Sequence, residues 1–484
     1  MFRQPMFAND ICIVGAGPAG STLASRMAGF GYRVCLIERA VFPRAHLGES
    51  LSPGVLPLLE VIGARDAVEA AGFYRGRDVR VQWDQGTQLR RDPRHEGLLV
   101  DRGRFDALLL DRAKKAGVRV LQPGSVSECR WDEDGWHLRI ETDEGMVELR
   151  TRFLAEASGR AAAVPARKRR TGRGTLALYA YWHGRHLPEE PRIEAVADAW
   201  YWGVPLPDGT YNTLVFVDAE SLRSAPRVTI TARFHQLIAR SGLMEDCDGA
   251  SLASSVVAAD ATPYVDEECV TRCSIKVGDA ALAIDPLSSS GVQKAIQNAL
   301  AGAVVVNSLL RKPDSSAVAI RFFQESVATA SNLHCRWASE QYRKVAQRGG
   351  GPFWQRRAAG AISPAPTVTP SGSLDERLRS EEIVELSPQL EFVELPCIDG
   401  EFVTMKSALR HPSLDAPIAF LGGREIAPLL KEMRDSLSPA QLARSWTSRV
   451  PLQSGLALVG WLIGHGILVQ QALSAADERK ARMS

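Results

Sequence analysis

Three glycines, Gly15, Gly17 and Gly20 in the run ICIVGAGPAG, and an acid, Glu38, are the residues whose types and spacing most directly call for chemistry. Asp10 to Val14 reads as a short apolar strand, Pro18 to Phe30 carries apolar residues at helical spacing, and Arg33 to Ile37 reads as a second strand. A G-x-G-x-x-G turn between strand and helix has a mechanical meaning. Gly15 permits the tight turn, Gly17 lets the backbone approach a pyrophosphate, and Gly20 lets helix and strand pack with no side chain between them. The helix N-terminus adds free amides and a favourable dipole. Glu38 closes the second strand, where a carboxylate can accept both ribose hydroxyls. Together these residues bind an ADP moiety. They do not say which dinucleotide carries it.

Two later segments narrow the choice. After Glu38 the chain reads ERAVFPRAHLGES, and far downstream VGDAALAIDPLSSSGVQKAI. With the glycine turn, these resemble the flavoprotein monooxygenase superfamily of para-hydroxybenzoate hydroxylase, geranylgeranyl reductases and flavin-dependent halogenases, over roughly residues 9 to 357. The resemblance implies FAD. It makes Gly15, Pro18, Ala19, Glu38 and Arg39 contacts to the ADP half, and puts Ser50 and Arg102 at the pyrophosphate and ribityl region. Val126 falls near the adenine, and Ala157 to Arg160 forms a second nucleotide-side turn. Asp279 binds the ribityl chain, while Pro286, Gly291 and Val292 face the isoalloxazine ring. A helix starting at Gly291 would aim its amides at the flavin edge where charge collects on reduction.

Within the superfamily, AWYWGVPLPD at Ala199 to Asp208 resembles the W-x-W-x-I-P signature of the halogenases, with Trp200, Trp202 and Pro205 in register. Either these tryptophans line a substrate pocket, or they pack one face of a strand. The halogenases use a lysine in the stretch matching Phe73 to Trp83; here Gly76 takes its place, and no lysine precedes Lys114. A neighbouring Arg75 or Arg77 cannot shed its proton as an ammonium can. The resemblance then favours hydroxylation of an electron-rich ring through a flavin hydroperoxide. His46 and Glu49, on the loop before Ser50, are the candidate catalytic groups. The missing lysine and the C-terminal extension are similar to the peptidyl-tryptophan hydroxylases of quinohemoprotein amine dehydrogenase maturation, which implies tryptophan in a peptide or protein as substrate and a role in quinone cofactor biogenesis. A small aromatic molecule is the alternative substrate. Halogenation of an indole, phenol or pyrrole, reduction of carbon-carbon double bonds, and a non-enzymatic assembly role are the rival functions. With no second G-x-G-x-x-G, electrons would come from NAD(P)H bound transiently or from reduced flavin supplied by a partner reductase.

These residues need a scaffold of 484 residues, long enough for two or three domains. The expected class is α/β: a discontinuous Rossmann-type FAD-binding domain over 1–165 and 270–357, and an inserted, mainly antiparallel β-sheet substrate domain over 166–269. A linker over 358–373 follows, rich in Ala, Pro, Ser, Thr and Gly. A small C-terminal α+β module over 374–484 completes the chain, with a winged-helix-like arrangement one option. Strands are expected around Trp131 to Ile140, Val147 to Ala155, Thr175 to His183, Ala199 to Pro205 and Tyr211 to Val217, and a helix over Gly291 to Leu310. Hydrophobic residues at 45% and charged ones at 24% fit a globular chain, and a net charge of +2 offers no global field for nucleic acid or an anionic membrane. The eight cysteines lack metal-type spacing, so no metal is expected and the thiols read as reduced. The apolar run Ser454 to Leu473, broken by Gly460, Gly464 and Gly466, reads as helix then strand rather than a membrane span. With no apolar signal region in MFRQPMFAND, the expected location is the cytoplasm.

Overall fold

A computed structural model describes residues 9–44, 46, 50–76, 78–84, 86–91, 97–161, 166–224, 228–247, 249–359, 382–433 and 437–471. The chain divides into two compact units, Met1–Ala361 and Ile362–Ser484.

In the first unit, the strand Asn9–Val14 is flanked in parallel by Val34–Ile37 and by Gly145–Glu156. Arg119–Leu121 extends the sheet beyond Val34–Ile37, and Ser274–Lys276 adds in parallel to the far end of Gly145–Glu156. Ile11, Cys12 and Ile13 are all fully buried. A strand covered on both faces has no polar side to alternate with, which is why ICIV is uninterrupted. Gly135–Thr142 and Gly124–Asp132 complete the sheet as an antiparallel meander. The helix Pro18–Gly29 buries Leu23, Ala24 and Met27 and packs against the long helix Gly291–Arg311. Residues 270 onward thus return to the sheet that the first residues began.

The second sheet has eight strands. Thr175–His183, Tyr211–Asp218, Trp200–Pro205 and Arg192–Ala195 run antiparallel in that spatial order. Two strands from much earlier in the chain finish it: Asp78–Gln82 pairs in parallel with Arg192–Ala195, and Thr87–Arg91 pairs with Asp78–Gln82. The segment 166–269 therefore does not contain the whole sheet. In DVRVQ only Val81 is buried, so these edge strands carry too little apolar alternation to announce themselves. The sheet has two apolar faces. One packs Leu178, Ala180, Trp182 and Tyr201 against Phe234 and Leu237. The other packs Ala177, Trp200, Leu214 and Phe216 against Leu287, Tyr342, Phe353 and Trp354. Tyr342 lies on the helix Ser316–Ala346.

The second unit is α+β. Ile383–Leu386 pairs antiparallel with Leu468–Gln471, and Glu391–Asp399 with Phe402–Arg410. Helices Ala427–Lys431, Pro439–Ser445 and Leu452–Gly464 enclose a core that includes Val384, Leu409, Leu430, Leu442, Val459 and Leu462. The run from Ser454 is helix through Gly464 and strand from Leu468. Among the described residues, no helix is long and apolar enough to cross a membrane. Most of the segment expected to link the units, from residue 360, lies outside the described residues.

Candidate functional site

The glycine turn is built as its spacing requires. Gly15 has φ +99°, and a Cβ there would sit 2.6 Å from the Ala157 carbonyl oxygen. A Cβ on Gly20 would fall 1.8 Å from the Gly15 oxygen. Gly17 differs: its nearest neighbour is Arg44 Nη2 at 3.7 Å, so its outer side is open to an approaching group. The helix after it has no side-chain cap, leaving first-turn amides for a ligand. Glu38 is 4% exposed and ties the turn together. Its Oε2 accepts from the Ala16 amide at 2.7 Å and its Oε1 from the Ala40 amide at 2.9 Å. A carboxylate has about four acceptor sites, so capacity remains for ribose hydroxyls.

Two guanidiniums flank this turn. Arg102, nearly buried, reaches Asp106 with Nε at 3.0 Å and Nη2 at 3.1 Å. Arg44 Nη2 approaches the same carboxylate at 3.8 Å, and its guanidinium lies over the Phe42 ring. One carboxylate thus faces two cations. Arg44 Nε is buried with no hydrogen-bond partner among the described residues. That orphaned donor, the open side of Gly17 and the uncapped helix together fit a pyrophosphate. Sequence reading missed Arg44, because one arginine in VFPRAH is indistinguishable from a solvated one.

The other end of the site forms where three distant segments meet. Gly278 has φ +63°, and a Cβ there would lie 2.7 Å from the Ala19 Cβ, so the Gly278–Asp279 turn sits directly against the glycine-turn helix. The Ser52 hydroxyl donates to Gln293 in the first turn of the helix Gly291–Arg311. Ser50, on the two-residue strand before it, pairs with Leu99. Asp279 receives Lys294 Nζ at 2.8 Å. Burial acts to raise this carboxyl, but the Lys294 ammonium, with Arg160 and His46 behind it, holds it below its ordinary value. Pro286–Ser288 is a short turn capped by Asp285, whose Oδ1 accepts the Leu287 amide at 3.0 Å. The structure thus brings Gly15, Gly17, Pro18, Ala19, Gly20, Glu38, Asp279, Pro286, Gly291 and Val292 into neighbouring turns. Val126 packs beside Ile37 at the sheet's edge. Arg39 is exposed, as is His46. Glu49 lies outside the described residues.

Beside Asp285 a cavity of about 410 Å³ opens between Leu282–Asp285, the helix face Ser331–Tyr342, Arg170–Arg173 and Arg356–Arg357. Asp285 receives the Tyr342 hydroxyl at 2.8 and 2.9 Å. Burial raises its carboxyl above the ordinary range, opposed by the Leu287 amide, Tyr342 and Arg357. His334 is pushed down, by burial first and then by Lys294. Trp200 and Trp202 do not line this cavity. Trp200, 2% exposed, stacks on Phe216 with ring centroids 3.7 Å apart. Trp202 is half-buried and packs at the margin of the same cluster. The core reading therefore describes Trp200. Trp83, at the end of the stretch that carries the lysine in halogenases, packs edge-on to Trp354 at 5.3 Å.

The profile of the family described as tryptophan halogenase matches residues 84–369. A tryptophan 2-halogenase of Chondromyces crocatus is 32% identical over 373 residues, covering 72% of this chain and 70% of its own length. This chain belongs to the tryptophan halogenase family. A flavin-dependent halogenase of Armillaria mellea is 29% identical over 371 residues, 68% of this chain and 70% of the relative. Among solved structures, a peptidyl tryptophan dihydroxylase essential for tryptophylquinone cofactor biogenesis superposes with TM-score 0.74 at 28% identity, covering 95% of this chain and 99% of that one. A flavin-dependent halogenase gives TM-score 0.75 at 20% identity, covering 96% of each chain. Members of the family's fold thus carry out both halogenation and hydroxylation, and both of these structures extend over the C-terminal unit. The chain is an FAD-dependent oxidoreductase of this family.

Proposed function

We propose that this family member hydroxylates an electron-rich aromatic ring, with tryptophan in a peptide or protein as the preferred substrate. The observation that carries the reading is the set of cations around the cavity. They are Arg170, Arg173, Arg356, Arg357 and the half-buried His334; no lysine lines it among the described residues. A guanidinium stays protonated and cannot form a haloamine or serve as an acid the way an ammonium can. Lys294 is occupied with Asp279 and the Leu282 carbonyl.

FAD, when bound, reduced and met by oxygen, supplies the electrophilic oxygen. The chain does the rest. Gly15, Gly17 and Gly20 with Pro18, Ala19, Arg44 and Arg102 hold the pyrophosphate, and Glu38 the adenosine ribose. Ser50 and Asp279 serve the ribityl chain, and Pro286, Gly291 and Val292 the ring. Tyr342 lines the cavity, and behind it Trp354, Trp200 and Phe216 pack in one apolar cluster that keeps water from that side. The cavity admits one aromatic ring with a short arm, so a peptide substrate would present a single side chain. Electrons come from NAD(P)H or from a partner reductase's reduced flavin.

The sequence relatives favour a second reading, halogenation, since the Chondromyces crocatus tryptophan 2-halogenase is 32% identical. Purified protein given FAD, a reducing system, oxygen, bromide and an indole substrate separates the two by product mass. A gain of one oxygen, unchanged by bromide, is expected. A bromide-dependent product would end the hydroxylase reading.

A further inference from the structure

We infer that the cavity beside Asp285 selects an aromatic acid: a ring whose N–H or O–H donates to Asp285, on an arm whose carboxylate meets the arginines of the rim. The inference rests on the reading that an aromatic ring is the substrate, and adds how that ring is recognised.

The two ends of the cavity differ in chemistry. At the inner end, Asp285 directly precedes Pro286, one residue from the segment assigned to the flavin ring. Its carboxylate receives the Leu287 amide at 3.0 Å and the Tyr342 hydroxyl at 2.8 and 2.9 Å. About four acceptor sites exist on a carboxylate, so a donor from within the cavity can be accommodated. Indole and phenol rings each offer one. Between the ends, Leu282, Ala283, Ile284, Pro263 and Ala338 give an apolar sleeve.

At the rim, Arg170 and Arg173 are both exposed. Arg356, exposed beside them, shares the Asp218 carboxylate with Arg357, which is itself buried. The Arg173 side chain has no hydrogen bond or ion pair among the described residues. Three exposed guanidiniums, Arg170, Arg173 and Arg356, against Asp218, which Arg357 shares, and Asp260, near Arg170, leave the rim positive. A ring held at Asp285 would direct a short carboxylate arm toward it. Such an arm belongs either to a free aromatic acid or to an acidic residue beside tryptophan in a peptide; the chemistry recognised is the same.

Binding can be read without turnover, so a wrong reaction assignment would leave the result unchanged. The full chain loaded with FAD is titrated with indole-3-propionate, its amide, and its N-methyl derivative, and with the blocked peptides acetyl-Asp-Trp-Gly-amide and acetyl-Asn-Trp-Gly-amide. In at least one series the acid is expected to bind about tenfold more tightly than the amide, as a charge-assisted hydrogen bond provides. The tighter series identifies the source. N-methylation is expected to weaken binding by a similar factor. Arg173→Glu should erase the acid preference while leaving FAD content unchanged. The Cys335 thiol, which lines the cavity, should be protected from iodoacetamide by the acid probe in the unaltered chain. Equal affinity of acid and amide in both series, indifference to N-methylation, unaltered Cys335 labelling, or no binding of any probe would each overturn the assignment.

Discussion

At the scale of single residues, the glycines of one turn do different jobs and should fail differently. A Cβ on Gly20 would lie 1.8 Å from a backbone oxygen, with no side chain able to yield. Gly20→Ala should therefore lower thermal stability of the apoprotein and abolish FAD binding together. A Cβ on Gly17 meets only Arg44 Nη2 at 3.7 Å, an ordinary contact. Gly17→Ala should keep the apoprotein's melting temperature and lose FAD affinity alone, as flavin absorbance after gel filtration would show. Asp285 gives a pH signature. Burial raises its carboxyl, so its contribution to folding is intact below the ordinary carboxylate value and is lost as pH rises through the raised one. The effect on binding runs the other way: only the ionised form accepts freely from a ring N–H. The advantage of indole-3-propionate over its N-methyl derivative should shrink as pH falls through the raised value. Tyr342 and Arg357 act on the group directly, and His334, which lines the same cavity and is held low by burial, gains charge on acidification. Substituting His334→Gln should leave the pH dependence in place; its disappearance would assign the titration to the histidine. The glycine turn and Glu38 were legible in the sequence because strand, turn, helix and acid lie within one local run. The Asp285–Tyr342 contact was not, because its partners are 57 residues apart and join only through packing.

At the scale of elements, the paired tryptophans show where a sequence signature leaves two readings and packing decides. Period-two spacing places Trp200 and Trp202 on one face of their strand. Trp200 sits at the centre of that face, sealed by Phe216, and Trp202 at its margin. Trp200→Ala should cost about 3–5 kcal/mol, the range for emptying a buried aromatic site. Trp202→Ala should cost roughly 1–2 kcal/mol, in keeping with partial burial. Urea midpoints for the two variants would check this, and an equal loss would mean that Trp202 is as fully packed as Trp200. The same sheet shows what local pattern conceals. Its central strands were readable from aromatic and β-branched runs, whereas Asp78–Gln82 and Thr87–Arg91 join it only because Arg192–Ala195 offers an edge. Main-chain pairing, which any side-chain sequence can satisfy, supplied the partner.

At the scale of the whole molecule, the question is what the C-terminal unit adds. Its apolar cluster, from Val384 to Leu468, draws only on residues of that unit. Among the described residues, the clusters on both faces of the second sheet and beside the first draw only on residues before 361. Each unit therefore has the closed core that independent folding requires. The groups assigned to FAD, and every residue lining the cavity, belong to the first unit. A protein ending at residue 361 should purify as a folded flavoprotein and oxidise a free indole acid at a rate within about twofold of the full chain, because no group that touches the ring has been removed. A peptide substrate makes a different demand. The cavity accepts one side chain, so affinity for the remainder of a peptide must come from surface outside it, and a separately folded unit is suited to provide that. The shortened protein should then show a peptide KM raised at least tenfold with kcat little changed, the pattern of lost ground-state binding. A peptide KM equal to that of the full chain would assign the C-terminal unit some role other than substrate docking. A fall in kcat for the small probe would instead show that the unit supports the flavin site itself.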